Sequence, residues 1–485
     1  MRSMRHVVAA PLFVYLASGC SIIFSPGNIP LADGPTVDVE IRADANPAAL
    51  QVDEAFPPTI YEGSGVGGSR PAVVVLRGKQ FVSSNNLTVT LTPDTSAHLE
   101  RFEVAGNGDY IALVVSAPIT PCAAATTTPI HIEVSQNDGM GGTVSKGLDT
   151  FTVTCLNELT SAVTNTDSLD AIYSKIEINN NVDFSAGSKN AILKSASFIS
   201  LANLDASAGT APTAGPGGHA GSMGPAPGQA GTLGAGGGGA GFADPGTKGD
   251  NTTLGTGGAG GAGNVGDMWI ASWGANSSSG GGAGGPTATL GAGGVGGGGG
   301  GGIELTAAGD ITTAAITANG ASGANGASGA GQGGSGSGGV VLIRTSKTIS
   351  IGSVSVAPGP KFGNGGAASV GRIRIDAGLG TYPAAAHVKG PMLVDPLLTT
   401  TDQHPTLMLR GQRDNTTTTL RVYDKNQVVV PGGPYEVIFS PTDPGLAEVV
   451  PTLKAGFNKI CMWVEGGDLA VDESVNCISM AYLPP

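Results

Sequence analysis

Glycine returns at every third position through long stretches of this chain, and no other feature restricts its fold so strongly. Residues 320–329 read GASGANGASG, and the same period holds over 215–224, 228–237 and 255–261. Three residues make one turn of the extended polyproline II helix, so this repeat places glycine along one edge of such a helix. An edge without side chains allows another backbone to approach closely.

The glycine tracts differ in composition from an ordinary protein core. The chain has 81 glycines in 485 residues and only 13% charged residues, whereas globular proteins average about 7% glycine and about 25% charge. Ordering the largest tract, roughly ninety residues, costs on the order of 100 kcal/mol of conformational entropy, and few of its side chains are apolar enough to offset this by burial. The composition resembles the PGRS-type glycine-rich repeats of bacterial surface proteins.

Three interpretations of the tracts follow. They stay disordered, or they form a bundle of extended helices that pack on a neighbouring domain, or they assemble as a collagen-like trimer. Runs of only three or four triplets with few prolines argue against collagen. The first two interpretations remain open at the level of sequence.

The middle third of the chain contains segments that resemble one another. They begin at Tyr173, Ala191, Gly302 and Gly339, with a shorter copy at Gly371. Each opens with a short alternation of apolar and polar residues and leaves through Gly or Ala-Gly, as strands bounded by turns do. Such repeats indicate a solenoid, because one coil cannot cover its own apolar face and stacked coils cover one another.

We therefore predict a short parallel β-helix, or a solenoid close to it, over residues 165–380. Its glycine-rich insertions are expected at about 208–301, 320–339 and 363–366, where the coils turn. A further β-sandwich broken by insertions is the alternative. The inward positions are expected to hold small aliphatic side chains, namely Ile192, Leu193, Ile199, Leu201, Ile303, Leu305, Ile311, Ile316, Val341, Ile343, Ile349, Ile351, Val354, Ile373 and Ile375.

Two flanking regions have the pattern of antiparallel sandwiches. Residues 35–158 and 391–485 contain β-branched runs of four to eight residues separated by Gly, Pro, Asn and Asp. Within the first region, Pro57 to Phe81 has a proline-led start, the strand VVVLRG and then Lys79-Gln80-Phe81, and it resembles the IPT/TIG type of immunoglobulin-like (Ig-like) domain. The sequence thus predicts an all-β chain with an N-terminal Ig-like sandwich, a central solenoid and a C-terminal Ig-like sandwich.

The first twenty residues have the order of a secretory signal. Arg2 and Arg5 precede an apolar stretch from Val7 to Leu16, which is shorter than the roughly 20 apolar residues that a transmembrane helix needs. The segment Leu16-Ala17-Ser18-Gly19-Cys20 resembles the lipobox of bacterial lipoproteins, in which the cysteine carries lipid after cleavage.

That resemblance implies a signal peptide at 1–19, a lipidated Cys20 and a linker at 20–34. A triacylated Cys20 would hold the protein stably on a membrane surface. Ser21 resembles the corresponding residue of lipoproteins sorted to the outer membrane. Cleavage at Ala or Ser without lipidation is the alternative.

The remaining cysteines fall into two local pairs. An exported protein can form disulfides, and we expect Cys122 to pair with Cys155 and Cys461 with Cys477. Each pair lies inside one strand-rich region and would contribute about 3 to 4 kcal/mol on the chain-entropy estimate. Four converging ligands at the short spacing of a zinc site do not occur in the sequence.

The sequence offers little catalytic chemistry. The formal net charge of −13 argues against nucleic-acid partners, which select basic surfaces. A phosphate-binding GxxxxGK[ST] loop does not occur, and GxGxxG matches arise by chance in such glycine-rich tracts. The charged coil residues show no cluster of the kind that polysaccharide-cleaving β-helices need; these residues are Glu177, Asp183, Glu304, Asp310, Arg344, Arg372 and Arg374.

Trp269 and Trp273 interrupt the largest glycine tract. They are expected to dock the tract onto the coils, and an exposed aromatic patch for sugar is the alternative. We expect no metal, no cofactor and no catalytic residue. The sequence predicts a lipid-anchored outer-membrane or cell-surface protein with a structural or adhesive role, whose partners are the membrane and possible surface glycans or other envelope proteins.

A carbohydrate-binding or polysaccharide-cleaving β-helix protein, a lyase or glycoside hydrolase, is the alternative function. An assembly subunit whose glycine tracts pair between chains is a further one. Carboxylates and aromatic residues gathered on one coil face would favour the sugar interpretation, and a Ser/Thr/Ala face would favour a scaffold.

Overall fold

The protein is described by a computed structural model. It describes residues 50–66, 68–82, 86–120, 126–138, 141–169, 171–184, 188–263, 291–381, 383–384, 386–394, 396–411, 418–440, 445–464 and 477–485. In these residues the chain forms strands and one short 3-10 helix, Thr166–Ser168, and no α-helix. The predicted all-β fold is confirmed.

The first sandwich has two four-stranded sheets. Its strands are β1 (Gln51–Phe56), β2 (Thr59–Tyr61), β3 (Ala72–Lys79), β4 (Thr88–Thr92), β5 (His98–Val104), β6 (Tyr110–Ser116), β7 (Thr126–Asn137) and β8 (Thr143–Cys155). The sheet orders are β1-β3-β6-β5 and β2-β8-β7-β4. Alternating burial along strands such as β4 places Leu91, Leu113 and Phe151 in one core between the sheets.

The central solenoid is a ten-stranded parallel sheet that winds in coils. Its strands are β9 (Ile172–Tyr173), β10 (Ile176–Ile178), β11 (Val182–Asp183), β12 (Ala191–Ser195), β13 (Ile199–Asp205), β14 (Gly302–Ala307), β15 (Ile311–Thr317), β16 (Val340–Ser355), β17 (Arg372–Gly380) and β18 (Val388–Gly390). The long β16 bends between two faces of a coil, so that its first half pairs with β14 and its second half pairs with β15.

The four similar segments of the sequence lie one above another. On the first face Ala191 pairs with Ile303, Ile303 with Val341, and Val341 with Ile373. On the second face β13, β15 and the end of β16 pair in the same register. The predicted solenoid is therefore confirmed, and its last strand, β18, lies beyond the predicted end at residue 380.

The solenoid core consists of the small aliphatic side chains that the repeats indicated. Leu193, Leu305 and Ile343 are fully buried on the first face, and Ile199, Ile311 and Ile349 line the second. Ile192 is an exception. Strand alternation turns Leu193 inward, so the adjacent Ile192 faces outward and remains half-buried.

The glycine-rich segments leave the solenoid at the ends of its strands and return to the next coil. The described parts are 206–263 and 291–301 between β13 and β14, 318–339 between β15 and β16, and 356–371 between β16 and β17. We call these segments together the glycine bundle. Backbone hydrogen bonds connect them throughout, so these residues are ordered rather than disordered.

The hydrogen bonds of the glycine bundle repeat every third residue. Gly294, Gly297 and Gly300 donate to Gly331, Gly334 and Ser337 respectively, at 2.8 to 2.9 Å. This is the spacing expected when extended helices of three residues per turn lie side by side. The collagen-like alternative is not needed, because segments of one chain supply one another's partners.

Three segments at the centre of the bundle form a closed cycle of donors and acceptors. Residues 237–240 donate to 332–335, residues 335–338 donate to 366–369, and residues 366–369 donate back to 237–240. Two hydrogen bonds join each pair of segments, and their donors lie three residues apart, as do their acceptors. The backbone groups of segments from three different insertions thereby satisfy one another, which is the requirement for burying a backbone without side-chain partners.

Close approach explains why the edges are glycine. A Cβ at Gly236 would overlap with the carbonyl oxygen of Asn364, one at Gly239 with that of Ala367, and one at Gly334 with that of Gly238. These are backbone atoms in neighbouring helices, so no rotamer change can make room. The three-residue period is thus a steric requirement at the helix contacts.

The last sandwich closes the chain. Its strands are β19 (Met392–Leu393), β20 (Thr399–Thr400), β21 (Leu407–Gly411), β22 (Thr418–Asp424), β23 (Tyr435–Val437), β24 (Gly445–Val449), β25 (Gly456–Val464) and β26 (Cys477–Tyr482). They form a three-stranded sheet, β19-β21-β24, and a five-stranded sheet, β20-β26-β25-β22-β23. Cys461 and Cys477 face each other in β25 and β26 and form a disulfide.

The two sandwiches pack against each other. Val75 and Ala112 of the first share an apolar cluster with Phe457 and Leu483 of the last, and the Phe457 ring meets Phe56 edge to face at 4.8 Å. The first and last modules therefore form one base from which the solenoid and the glycine bundle extend.

A buried carboxylate, Asp424, lies close to this interface. Burial acts to raise its pKa, but hydrogen bonds from Lys454 and from the backbone amides of Val428 and Asn426 outweigh that effect, so its pKa lies below the ordinary value. The Lys454 ammonium is 2.6 Å from the carboxylate. Asp424 therefore remains ionised and holds its turn together through charge-assisted hydrogen bonds.

Replacing Gly334 by alanine should destabilise the glycine bundle, because the added Cβ meets the carbonyl oxygen of Gly238. We expect a loss of about 1 to 3 kcal/mol, as for other overpacking substitutions. Urea unfolding of the whole chain measures this loss. Gly209→Ala is the matched control, since a Cβ there makes only ordinary contacts at 3.4 Å; equal unfolding midpoints for both variants would contradict the packing described.

Candidate functional site

On the second face of the solenoid, β13, β15 and the end of β16 are stacked, and we call these stacked strands the second column. The outer face of this column carries mostly small side chains. Apart from the exposed Asp205 at the end of β13 and the core-packed Ile351, the residues that are exposed or half-buried along β13, β15 and the end of β16 are Ser200, Ala202, Asn203, Thr312, Ala314, Ala315, Thr317, Ser350, Gly352, Ser353 and Ser355. They stack in register from coil to coil. Ser, Thr and Ala predominate, which favours a scaffold over a sugar-cleaving surface.

Side-chain hydrogen bonds join the coils along one edge of that face. Asn203 donates to Asn181 at 2.7 Å, and Ser355 donates to Asn319 at 2.8 Å. Asp183 and Asp205 stand side by side in adjacent coils, and Thr317 donates to Asp205 at 2.7 Å. Both carboxylates are exposed, and neither lines the cavities of 490 and 210 Å³ in the described part of the chain. Glycosidase carboxylates, in contrast, flank a bound sugar.

The glycine bundle ends in four tight turns. They are 232–235, 252–255, 327–330 and 362–365. Thr252 donates through its hydroxyl to the Leu233 carbonyl at 3.0 Å. The Asn364 amide donates to the Gly234 carbonyl at 3.2 Å. A Cβ at Gly234 would also lie 2.8 Å from the Gly329 carbonyl oxygen, so all four turns meet at one end of the bundle. We call this end the tip.

The tip exposes apolar side chains. Leu254 is 80% exposed, Leu233 46% and Phe362 40%. Hydrogen bonds join the turns that carry them: those of Thr252 and Asn364 connect three of the turns, and Gln332 and Asn364 each accept a hydrogen bond from the other's backbone amide, at 2.9 and 3.0 Å. Large apolar groups exposed on such a hydrogen-bonded surface are typical of a contact site for another molecule.

A buried aromatic residue docks the bundle on the coils. Phe242 is only 2% exposed, and the Arg372 guanidinium lies 5.1 Å from the centre of its ring, in cation–π geometry. Ser369 accepts a hydrogen bond from the Asp244 backbone at 2.8 Å through its hydroxyl. The tryptophans expected to dock the tract, Trp269 and Trp273, lie outside the described residues.

The first face of the solenoid carries a charged cluster that the sequence did not reveal. Arg374 makes a bidentate pair with Asp376, with both nitrogen–oxygen distances at 2.9 Å. Arg344, one coil away, lies 3.5 Å from the same carboxylate. All three side chains are at most 1% exposed. The sequence indicated both arginines but not Asp376, and it predicted no cluster; the pairing of Arg344 with Asp376 across adjacent coils corrects that prediction.

The other predicted site residues are distributed as follows. Cys20 and Cys122 lie outside the described residues, and Cys155 is disulfide-bonded. His98 and His131 are exposed and pair with Asp94 and Asp149. In the described residues, no three His, Cys, Asp or Glu side chains come close enough to hold a metal ion. The same residues include no helix with the length and apolarity to cross a membrane.

Comparison of the chain with protein-family models, with curated proteins and with solved structures gives no match.

Replacing Asp376 by asparagine should destabilise the protein by about 3 to 5 kcal/mol, because Arg344 and Arg374 would then lose their shared buried carboxylate. Chemical unfolding at neutral pH measures the loss. Asp250→Asn is the control. Asp250 pairs with Lys361 at 3.2 Å, but the two side chains are 57% and 44% exposed, so its loss should be at most about 1 kcal/mol. An Asp376 variant no weaker than this control would contradict the structural role of the cluster.

Proposed function

We propose that the protein is a lipid-anchored structural and adhesive protein of the cell surface, without catalytic activity. The observation that carries this proposal is the tip, a surface at the end of a hydrogen-bonded bundle, with three exposed apolar side chains. The two sandwiches serve as its base, and the solenoid connects this base to the glycine bundle. The lipid on Cys20 attaches that base to the membrane.

The tip suits contact with another surface for a physical reason. A leucine or phenylalanine side chain contributes about 1.5 to 3 kcal/mol when it is fully buried against a partner. The turns are already held by their own hydrogen bonds, so binding orders few additional residues. A preformed contact surface loses less conformational entropy on binding than a flexible loop does.

Two alternatives receive less support. The outer face of the second column holds mostly Ser, Thr and Ala and no row of aromatic residues, and the exposed pair Asp183 and Asp205 lies at its edge and outside both described cavities, which disfavours a polysaccharide-cleaving surface there. The three-residue hydrogen bonds of the glycine bundle are made within the chain, which disfavours an assembly whose glycine tracts must pair between molecules.

Removing the apolar groups of the tip should abolish adhesion. The test compares cells that display the full chain as wild type or as the triple variant Leu233→Ser, Leu254→Ser and Phe362→Ser. Attachment of the variant to beads coated with cell-envelope fragments should fall at least about tenfold, because the burial free energy of three such side chains is lost. Flow-cytometric counting of cells per bead measures attachment.

The matched control removes three equally exposed apolar groups from the base: Val428→Ser, Ile438→Ser and Val450→Ser, which are 58%, 69% and 50% exposed. This variant should attach like the wild type. Adhesion through the tip is refuted if the tip variant, present at normal surface levels, attaches as well as the wild type, or if both variants lose attachment equally.

Replacing Cys20 by alanine should move the protein from the membrane fraction to the soluble fraction, because lipid attachment needs the cysteine sulfur. Ser21→Ala is the control and should stay with the membranes. Fractionation with quantitative blotting measures the ratio. A Cys20 variant that still sediments with membranes after a high-salt wash would show that lipid is not the anchor.

A further inference from the structure

A cavity of about 490 Å³ lies where the three modules meet. The first sandwich contributes Tyr61 and Arg70, the solenoid Lys194 and Arg344, and the last sandwich Ile478 and its neighbours. Small-molecule sites typically have volumes of 300 to 1,000 Å³ and lie at domain boundaries. The cavity is therefore large enough for a ligand of one or two sugar rings.

The charge of this cavity is opposite to that of the protein. Its described lining includes three cations, Arg70, Lys194 and Arg344, and no aspartate or glutamate. The whole chain has a formal net charge of −13. Positive charge in a cleft with low-dielectric walls concentrates anions, which favours an anionic ligand here.

Two of the cations are held in place by the fold. Arg70 donates to the Pro396 carbonyl at 2.8 Å, and Arg344 lies beside Asp376. Lys194 is half-buried and takes part in no ion pair within the described residues. Lys194 and Arg344 lie on either side of Thr306 in adjacent parallel strands, which places their backbones about 10 Å apart.

The rest of the lining combines hydroxyl groups with apolar surface. Thr306, Ser346 and Ser479 supply hydroxyls. Tyr61 and Ile172 line the same cavity and remain 46% and 42% exposed. A ligand with one charged group, several hydroxyls and an apolar ring face matches these three components together. A simple inorganic anion uses only the cations.

We propose that this cavity binds a sugar that carries an oxyanion, either a carboxylate or a phosphate, with Lys194 as its main charge contact and Tyr61 covering the ring. This binding site is separate from the tip and does not depend on the adhesive role. It gives the protein a specific small ligand at the junction of its modules, where occupancy would also fix the modules to one another.

Calorimetric titration of the whole protein with four probes tests the proposal. D-glucuronate and glucose 6-phosphate supply the two oxyanions, glucose lacks the charge, and inorganic phosphate lacks the ring. At least one of the charged sugars should bind about tenfold or more tightly than both glucose and phosphate. Comparing the two sugars identifies which oxyanion the cavity prefers.

Substitutions of the lining residues test which of them contact the ligand. Lys194→Met should weaken binding of the charged sugar about tenfold or more, as expected when one charge-assisted hydrogen bond is lost. Lys146→Met, at an exposed lysine of β8 in the first sandwich, should leave it unchanged. Tyr61→Ala should weaken binding of the charged sugar but not of phosphate. Unchanged melting temperatures show that the variants are folded.

Several results would overturn the proposal. Binding of glucose or inorganic phosphate as tight as that of the charged sugars would remove the requirement for charge or for the ring. Wild-type affinity of the Lys194→Met variant would place the ligand elsewhere. The absence of saturable binding of either charged sugar at about 10 mM would exclude a site of useful affinity.

Discussion

Backbone hydrogen bonding between glycine segments is the interaction on which the upper part of this molecule depends. A net contribution of about 0.5 to 1.5 kcal/mol per hydrogen bond is close to the roughly 1 to 2 kcal/mol that fixing one residue costs. Every backbone amide from Gly236 to Gly241 donates a hydrogen bond, but even this density only roughly offsets the entropy cost of ordering the segment. The coils supply the remainder, because each glycine segment is tied at both ends to strands whose register is fixed by a buried aliphatic core. Short closed loops lose less entropy on ordering than free chains do.

The solenoid in turn depends on the two sandwiches. A parallel stack has two open ends whose strands expose unpaired backbone groups. At one end the segment after β8 bonds to the first coil through Leu159. At the other end β19 and β21 pack next to β17 and β18. The Arg344, Arg374 and Asp376 cluster lies beneath that second contact, which explains how three charged groups become buried on the outward side of a coil.

The sequence predicted the two largest features of the fold from its repeats. The four similar segments of short strands predicted the solenoid, and the three-residue glycine period predicted extended helices as one of the possible forms of the tracts. Whether the tracts are ordered could not be read from them, because each segment needs several neighbours at once. Some partners lie in the same insertion, as Thr247 does for Gly239, and others in a different insertion, as Gln332 does for Gly237. Asp376 shows the same limit on a smaller scale, because alternation within one strand gives two faces and only the packing of a neighbouring module decides which outward residues are buried. Ile192 is different, since alternation alone places it on the opposite face from Leu193; the prediction that both point inward was wrong for that reason.

Glycine helices also explain how a contact surface can be placed far from the base with few side chains. A conventional arm needs its own hydrophobic core along its whole length, whereas here the segments are buried against one another's backbones. Exposed apolar groups of the bundle also lie outside the four turns of the tip, at Met223 and Val295. At the tip, however, Leu233, Leu254 and Phe362 stand together on turns that the side chains of Thr252 and Asn364 join. Because the glycine segments need few apolar side chains for their own packing, such a group of three remains available as a contact surface.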